Sequence, residues 1–253
     1  MGVERDIESH DGARHPLSAT CPRPIRRAWL RNRWDDLTFV HWAYPPAEVQ
    51  TLLPEGVEAD TFEGQAWVSL VPFTMRRAGP TFLPSLPWIS TFAETNVRTY
   101  VVDSAGNRAV WFLSLDAARL PVVAFARWAI GFPYVWSRMT IDRVGQRWSY
   151  ITTTRRWPRR PPAATTLVVD VGERIEPTEL DVFLTARWGT VAKWGGRLRH
   201  HPVDHPPWVL HAARIVEVAD TALTACGLSA PEGEPVVRWA EPLDARFGWP
   251  VRV

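Results

Sequence analysis

The chain has 253 residues, 46% of them hydrophobic and 22% charged, with a formal net charge of +2. That length and composition support a packed globular core and exclude a fibrous or wholly disordered chain. Acidic residues are interleaved among the basic ones and no nucleic-acid motif is present, so no nucleic-acid partner is expected. Cys21 and Cys226 are the two cysteines and make no disulfide framework, and no Cys/His metal spacing occurs. The N-terminus has no apolar leader run. The longest apolar stretch, Leu120 to Tyr134, is broken by Pro121, Arg127 and Pro133 and is too short and too charged to span a membrane. A cytoplasmic protein with no membrane partner is expected.

In chain order, residues 1–28 read as a mobile tail with no apolar period. Trp34 to Trp42 predicts a strand, and Pro45 to Pro54 a short helix with Pro near its start and Pro as its stop. Asp60 to Pro72 predicts a hairpin turning at Glu63-Gly64. Pro80 to Pro87 is a Pro-rich loop. Thr91 to Val102 and Ala109 to Leu115 predict paired strands, and Leu120 to Ile130 a helix lying on the sheet. Strands follow at 137–144, 148–154 and 166–171. Thr178 caps a helix running to Arg187. His200, His201 and His205 sit in a Pro-rich loop, Trp208 to Ala219 reads as a strand, and Asp220 to Cys226 as a helical turn stopped by Gly227. Residues 235–253 form a Pro-punctuated terminal segment. Many short strands with few helices predict an α+β fold, mainly antiparallel, as a barrel or sandwich in one domain over 29–253.

The strand beginning at Phe92 carries the clearest chemistry. Alternation places Glu94, Asn96, Arg98 and Tyr100 on one face and Ala93, Thr95, Val97, Thr99 and Val101 on the other. The polar face either lines an interior that grips a polar ligand or meets solvent while the β-branched face packs; alternation alone favours solvent. The 15 Trp either fill a bulky core or line a cavity. His41 is a candidate base because imidazole titrates near neutrality; a hydrogen-bonded structural role is the alternative. His200, His201 and His205 lie in a predicted loop with only Asp204 as a nearby carboxylate, so no metal is expected.

The segment Ala126-Arg127-Trp128-Ala129-Ile130-Gly131-Phe132-Pro133 resembles the run that precedes the paired lysines of acetoacetate decarboxylases, whose first lysine forms a Schiff base with the keto acid. Tyr134 and Val135 stand at those two positions here. In that superfamily a cavity glutamate lies on a strand upstream, and Glu94 stands at the matching distance before Tyr134. A closer resemblance runs from Trp34 through most of the chain. It rests on His41-Trp42, Phe62 to Val68, Val71-Pro72-Phe73, Glu94 to Val101, Val110 to Ala117, Pro133-Tyr134, Phe183 to Trp188, and His205 to Trp208. Together these runs resemble the bacterial YqjF-like family, a domain of unknown function within the acetoacetate decarboxylase superfamily. The family run Phe-Leu-Thr-Glu-Arg-Tyr is Phe183-Leu184-Thr185-Ala186-Arg187-Trp188 here, so a role for that acid does not carry over. The resemblance implies a decarboxylase-like β-barrel with an interior cavity and no Schiff-base lysine.

Two functions follow. One is a small-molecule enzyme, lyase-like or isomerase-like, acting by acid/base chemistry on a carbonyl or carboxylate compound. Glu94 and Tyr134 are its candidate catalytic residues. His41, Asn96, Arg98, Trp111, Arg127 and Arg138 are the candidate ligand-binding residues. The other is a non-catalytic binding protein whose barrel holds its ligand against Trp67, Trp111 and Trp136. Neither needs a cofactor, and a homo-oligomer is compatible with both. Lys193 is the only lysine among the 29 basic residues and lies outside the matching segment. Borohydride with acetoacetate is therefore expected to leave the protein mass unchanged; a stable adduct at Lys193 is the contrary result.

Overall fold

The computed structural model describes residues 14–253. Strand β1 (Leu30–Asp35) is separated from β2 (Leu37–Tyr44) by Asp36, whose φ of 53° interrupts the extended backbone, so the strand predicted over 34–42 is two strands. Helix α1 (Pro46–Gln50) begins on proline as expected. Strands β3 (Val57–Ala59), β4 (Thr61–Phe62) and β5 (Gln65–Pro80) follow. Glu63 at φ 50° and Gly64 at φ 79° form the predicted tight turn between β4 and β5. Helix α2 (Pro87–Ser90) leads into β6 (Phe92–Asp103), which pairs with β7 (Arg108–Ala117). Helix α3 (Leu120–Phe125) continues as one turn of π-helix, Ala126–Ile130.

Strands β8 (Tyr134–Val144), β9 (Arg147–Trp157) and β10 (Thr165–Ile175) form a meander. Helix α4 (Glu179–Thr185) is capped reciprocally by Thr178 and Asp181. Strands β11 (Gly189–Trp194) and β12 (Arg197–Asp204) form a hairpin through Gly195-Gly196. His200 and His201 lie on β12 and not in the expected loop. Strand β13 (Leu210–Asp220), helix α5 (Ala222–Ala225) and strands β14 (Val236–Ala240), β15 (Leu243–Phe247) and β16 (Val251–Arg252) complete the chain.

The strands join one sheet that closes on itself twice. One ring runs β1-β15-β12-β11-β7-β6-β5 and returns to β1. The other runs β7-β8-β9-β10-β13-β14-β2-β5-β6 and returns to β7. Pairing is antiparallel except at β7·β8 and β7·β11. The two rings share β5, β6 and β7 as a common wall. The second ring is solid, packed with Val40, Leu70, Val97, Trp148, Tyr150 and Leu167 among others. The first is hollow.

Residues 14–28 contain no helix or strand, yet they are tied to the body, which corrects the expectation of a mobile tail for that part. The His15 N–H donates to Gly106 O, Trp188 Nε1 donates to Ser18 O, and the Ile25 N–H donates to the Asp204 carboxylate. Leu17 packs on Tyr100, Val110 and Phe183 with their neighbours. The rest of the expected tail, residues 1–13, lies outside the described residues.

Gly131 ends the π-turn with φ 85°, and a Cβ there would lie 2.9 Å from the Lys193 carbonyl oxygen. Gly145 also has positive φ, at 62°, but has open space around it. Gly145→Ala is expected to cost about 1 kcal/mol for the left-handed backbone alone, and Gly131→Ala about 3 kcal/mol because overpacking adds to it. Urea unfolding of the two variants measures both; equal losses would contradict the close approach.

Candidate active site in the hollow ring

The hollow ring encloses a cavity of about 420 Å³ to which all seven of its strands contribute. Because β6 lies in the shared wall, both its faces are buried. Val97 packs into the solid ring, while Glu94, Asn96 and Arg98 point into the cavity. A bulge in β7 opposite Val97 and Arg98 brings Phe112 and Leu115, three positions apart, onto the same cavity. Of the residues on the cavity wall, only Pro121 and Phe125 are exposed. Both belong to α3, which places the opening there. From the opening inward, β6 presents Phe92, then Glu94, Asn96 and Arg98.

Glu94 is 2% exposed, and the Tyr134 hydroxyl lies 3.0 Å from its Oε2. Burial pushes the Glu94 carboxyl up to about 8; the Tyr134 hydrogen bond opposes this and the charge of Asp116 adds to it. Burial, the Glu94 charge and their mutual hydrogen bond raise Tyr134 well above the usual phenol range. Near neutrality the pair therefore holds a proton on the carboxyl and another on the phenol. Asp116 stays apart from the cavity, held by Ser114, Ser137 and a buried ion pair with Arg155 Nε at 3.0 Å.

Arg98 lies over the rings of Phe39 and Tyr100 at 5.2 and 5.6 Å and donates to Leu184 O, but among the described residues it faces no carboxylate and its Nε has no partner. Arg187, delivered just past the C-terminus of α4, is buried against Phe183 and Tyr100. Its guanidinium pairs with the fully buried Asp60 at 2.6 Å, which Arg108 also grips, and its second terminal nitrogen has no partner. Burial lowers the Arg187 pKa and Asp60 opposes the shift. Asn96 Oδ1, Thr190 Oγ1 and His201 Nε2 are likewise buried on this cavity without partners. Five such groups around one space are far from ordinary, because buried polar atoms are almost always paired.

His205 also faces the cavity, packed among Trp34, Trp188 and Trp208. Its Nδ1 donates to Pro206 O at 2.7 Å, leaving Nε2 as an acceptor. Burial drops His201 and His205 to about 4, so both rings are neutral near pH 7. Among the described residues no cluster of three or more His, Cys, Asp or Glu is arranged to hold a metal.

The structure brings together Glu94, Tyr134, Asn96 and Arg98 of the expected site and separates the others from it. His41 is fully buried behind the wall, where its Nδ1 contacts Ser69 Oγ and the Tyr100 hydroxyl. Burial and the charges of Arg98 and Arg238 hold it well below its usual pKa, so it is a poor base. Arg127 reaches back to donate to the backbone oxygen of Tyr134 at 2.8 Å and stacks over Trp157. Arg138 is exposed on β8. Trp111 packs with Val57, Val101, Ala109 and Val191 outside the ring's interior. The tryptophans on the cavity are Trp29, Trp34 and Trp208, not Trp67, Trp111 and Trp136. Lys193 is exposed at the end of β11. Arg187, Thr190, His201 and His205 were not singled out as ligand-facing in the sequence.

Comparison with known proteins agrees with this architecture. A family model described as an uncharacterized conserved protein, DUF2071, matches residues 31–244. The uncharacterized protein YqjF of Bacillus subtilis is 30% identical over 223 residues, covering 88% of this chain and 91% of that protein. Among solved structures, an acetoacetate decarboxylase-like enzyme from Sphingomonas wittichii superposes with a TM-score of 0.63 at 15% identity, covering 96% of this chain and 99% of that one. The enduracididine biosynthesis enzyme MppR complexed with pyruvate gives 0.61 at 13% identity over 94% and 98%. Acetoacetate decarboxylase from Legionella pneumophila gives 0.55 at 14% identity over 91% and 92%. At those identities the likeness is one of fold. The chain belongs to the DUF2071 family and adopts the acetoacetate decarboxylase-like fold.

Proposed function

We propose that this protein is a small-molecule enzyme that breaks a bond next to a carbonyl by acid catalysis, without a Schiff base. The observation that carries this reading is the buried Glu94–Tyr134 pair at hydrogen-bond distance, open to a cavity that also holds the Arg98 guanidinium, which has no carboxylate partner among the described residues. In the proposed step the protonated Glu94 carboxyl donates to the Tyr134 oxygen, the reverse of the Tyr134-to-Glu94 bond seen here, which frees the phenol proton for the substrate carbonyl oxygen. A C–H or C–C bond on the adjacent carbon breaks, releasing a proton to solvent or carbon dioxide. Its electron pair becomes the C=C bond of an enol as the carbonyl oxygen takes the Tyr134 proton. Glu94 passes its own proton to Tyr134 across the 3.0 Å contact and recovers one from solvent. Arg98 supplies the charge that holds an anionic substrate group.

The mostly apolar remainder of the wall supports a second reading, a non-catalytic binding protein. The two separate on one experiment. Oxo acids are incubated in deuterated buffer, and exchange beside the carbonyl is followed by NMR. Enzymatic exchange is expected, with a rate that falls as pH rises through about 8, where Glu94 loses its proton. Glu94→Gln is expected to slow it roughly a hundredfold or more, within the range for lost general acids. Ligand binding without exchange at any pH would favour the binding protein.

The same shift has a stability consequence. A carboxyl raised above its unfolded value keeps its proton in the native state while the unfolded chain has lost it, so native stability falls as pH climbs from about 4.5 to about 8. Glu94→Gln removes that loss. It is expected to be no more stable than the parent near pH 4.5 and more stable above pH 8, by up to about 5 kcal/mol. Urea unfolding across this range tests it; parallel stability curves would contradict the buried acid.

A further inference from the structure

The substrate class of this site can be narrowed by how its polar and apolar groups are ordered with depth; the inference rests on the reading of the cavity as a small-molecule site. The inner end holds Arg98, Arg187, Asn96, Thr190 and His201, and each of the five has a buried polar atom with no partner. Among the described residues the only carboxylate on either guanidinium is Asp60, which serves Arg187 and also Arg108 and Arg14. With no carboxylate on Arg98 among the described residues, and Asp60 on Arg187 divided among three arginines, net positive charge faces the cavity. An anion there would accept from Arg98 Nε, the free terminal nitrogen of Arg187 and the Thr190 hydroxyl, which are already desolvated and placed, so little further ordering is needed, while Asn96 Oδ1 is an acceptor left for a donor of the ligand.

The outer end is of opposite character. Trp29, Met75, Ile89, Phe92 and Phe125 surround the approach to the opening. Helices α2 and α3 are tied by Arg119 Nε donating to Trp88 O, and Phe125 is 46% exposed at the rim. Glu94 lies between the two ends, and along β6 its Cα stands about 13 Å from that of Arg98 by the strand rise. The cavity volume of about 420 Å³ would hold roughly 14 waters at about 30 Å³ each. A three- or four-carbon oxo acid would leave most of that space empty and the apolar end unused.

We infer that the ligand is an elongated amphipathic carboxylate, bound with its carboxylate at Arg98 and Arg187 and its acyl or aryl body running past Glu94 to the opening at α3. A reactive carbonyl would then lie along the body, several bonds from the carboxylate.

The test is calorimetric binding of straight-chain carboxylates from butanoate to decanoate, with the matching primary alcohols and amides. These acids carry no carbonyl on the chain, so binding is read independently of catalysis. Affinity is expected to rise about threefold per added methylene as apolar wall is covered. Decanoate is expected to bind at least tenfold more tightly than decanol or decanamide. Arg98→Met should remove that preference while keeping the dependence on chain length, and Arg98→Lys should restore part of it. Affinity independent of chain length, or alcohols matching acids on the unaltered protein, would overturn the inference whatever the variants do. If long carboxylates bind as expected but no oxo acid exchanges its protons, the acid-catalysis reading fails and the ligand class stands.

Discussion

The wall shared by the two rings is the constraint on which everything else depends. Strands β5, β6 and β7 are covered on one side by the solid ring and on the other by the hollow one. A strand in such a wall has no solvent face, so its polar side chains must be satisfied inside the protein or left for a ligand. Thr95 takes the first course, bonding Thr152 at 3.1 Å on the solid side. Asn96 Oδ1 and Arg98 Nε have no partner among the described residues, which is the second course in the proposed reading. The hollow is thus created by topology, and its chemistry by which residues happen to alternate toward it.

Burial in that hollow explains the electrostatics. The same desolvation that lifts the Glu94 carboxyl drops His201 and His205, so acid and imidazoles are neutral together near pH 7. The fixed positive charge comes from Arg98 and Arg187. Arg187 is affordable in the interior because Asp60 anchors it, and Asp60 is in turn held by Arg108 at the start of β7. A buried carboxyl that costs stability at neutral pH is uncommon outside functional sites. Here it sits at hydrogen-bond distance from a phenol rather than within an ion pair, which is the arrangement the proposed proton donor requires.

Much of the fold was legible in local sequence. The Glu63-Gly64 turn, the 92–115 hairpin, the Thr178 cap and the Gly227 stop all rest on short-range chemistry, and each falls where expected. The resemblance in Gly131-Phe132-Pro133 and the runs after Trp34 pointed to the fold. The alternation along β6 identified Glu94, Asn96 and Arg98 as one face, but local pattern favoured solvent for it. Only the long-range pairing of β5, β6 and β7 turns that face inward. The β11–β12 hairpin was hidden because Gly195-Gly196 and Pro202 read as loop residues, and with it went Thr190, His201 and His205. The alternation of His201, Val203 and His205 was the signal that could have found them. Arg127 and Arg138 flank Tyr134 in sequence, yet strand and π-turn geometry aim them at backbone and solvent. Arg187 carries no local mark at all: its partner, Asp60, lies 127 positions away.

The most direct measurement of the central claim is the protonation state of Glu94 itself. Infrared difference spectroscopy follows the carbonyl stretch of a buried protonated carboxyl as pH is raised, with Glu94→Gln assigning the band. The account requires a protonated-acid band near neutrality that is lost with a midpoint near pH 8 and is absent from the variant. An ionised Glu94 at all pH values above about 5, the range of an ordinary carboxyl, would contradict it and reduce the Glu94–Tyr134 contact to a structural bond.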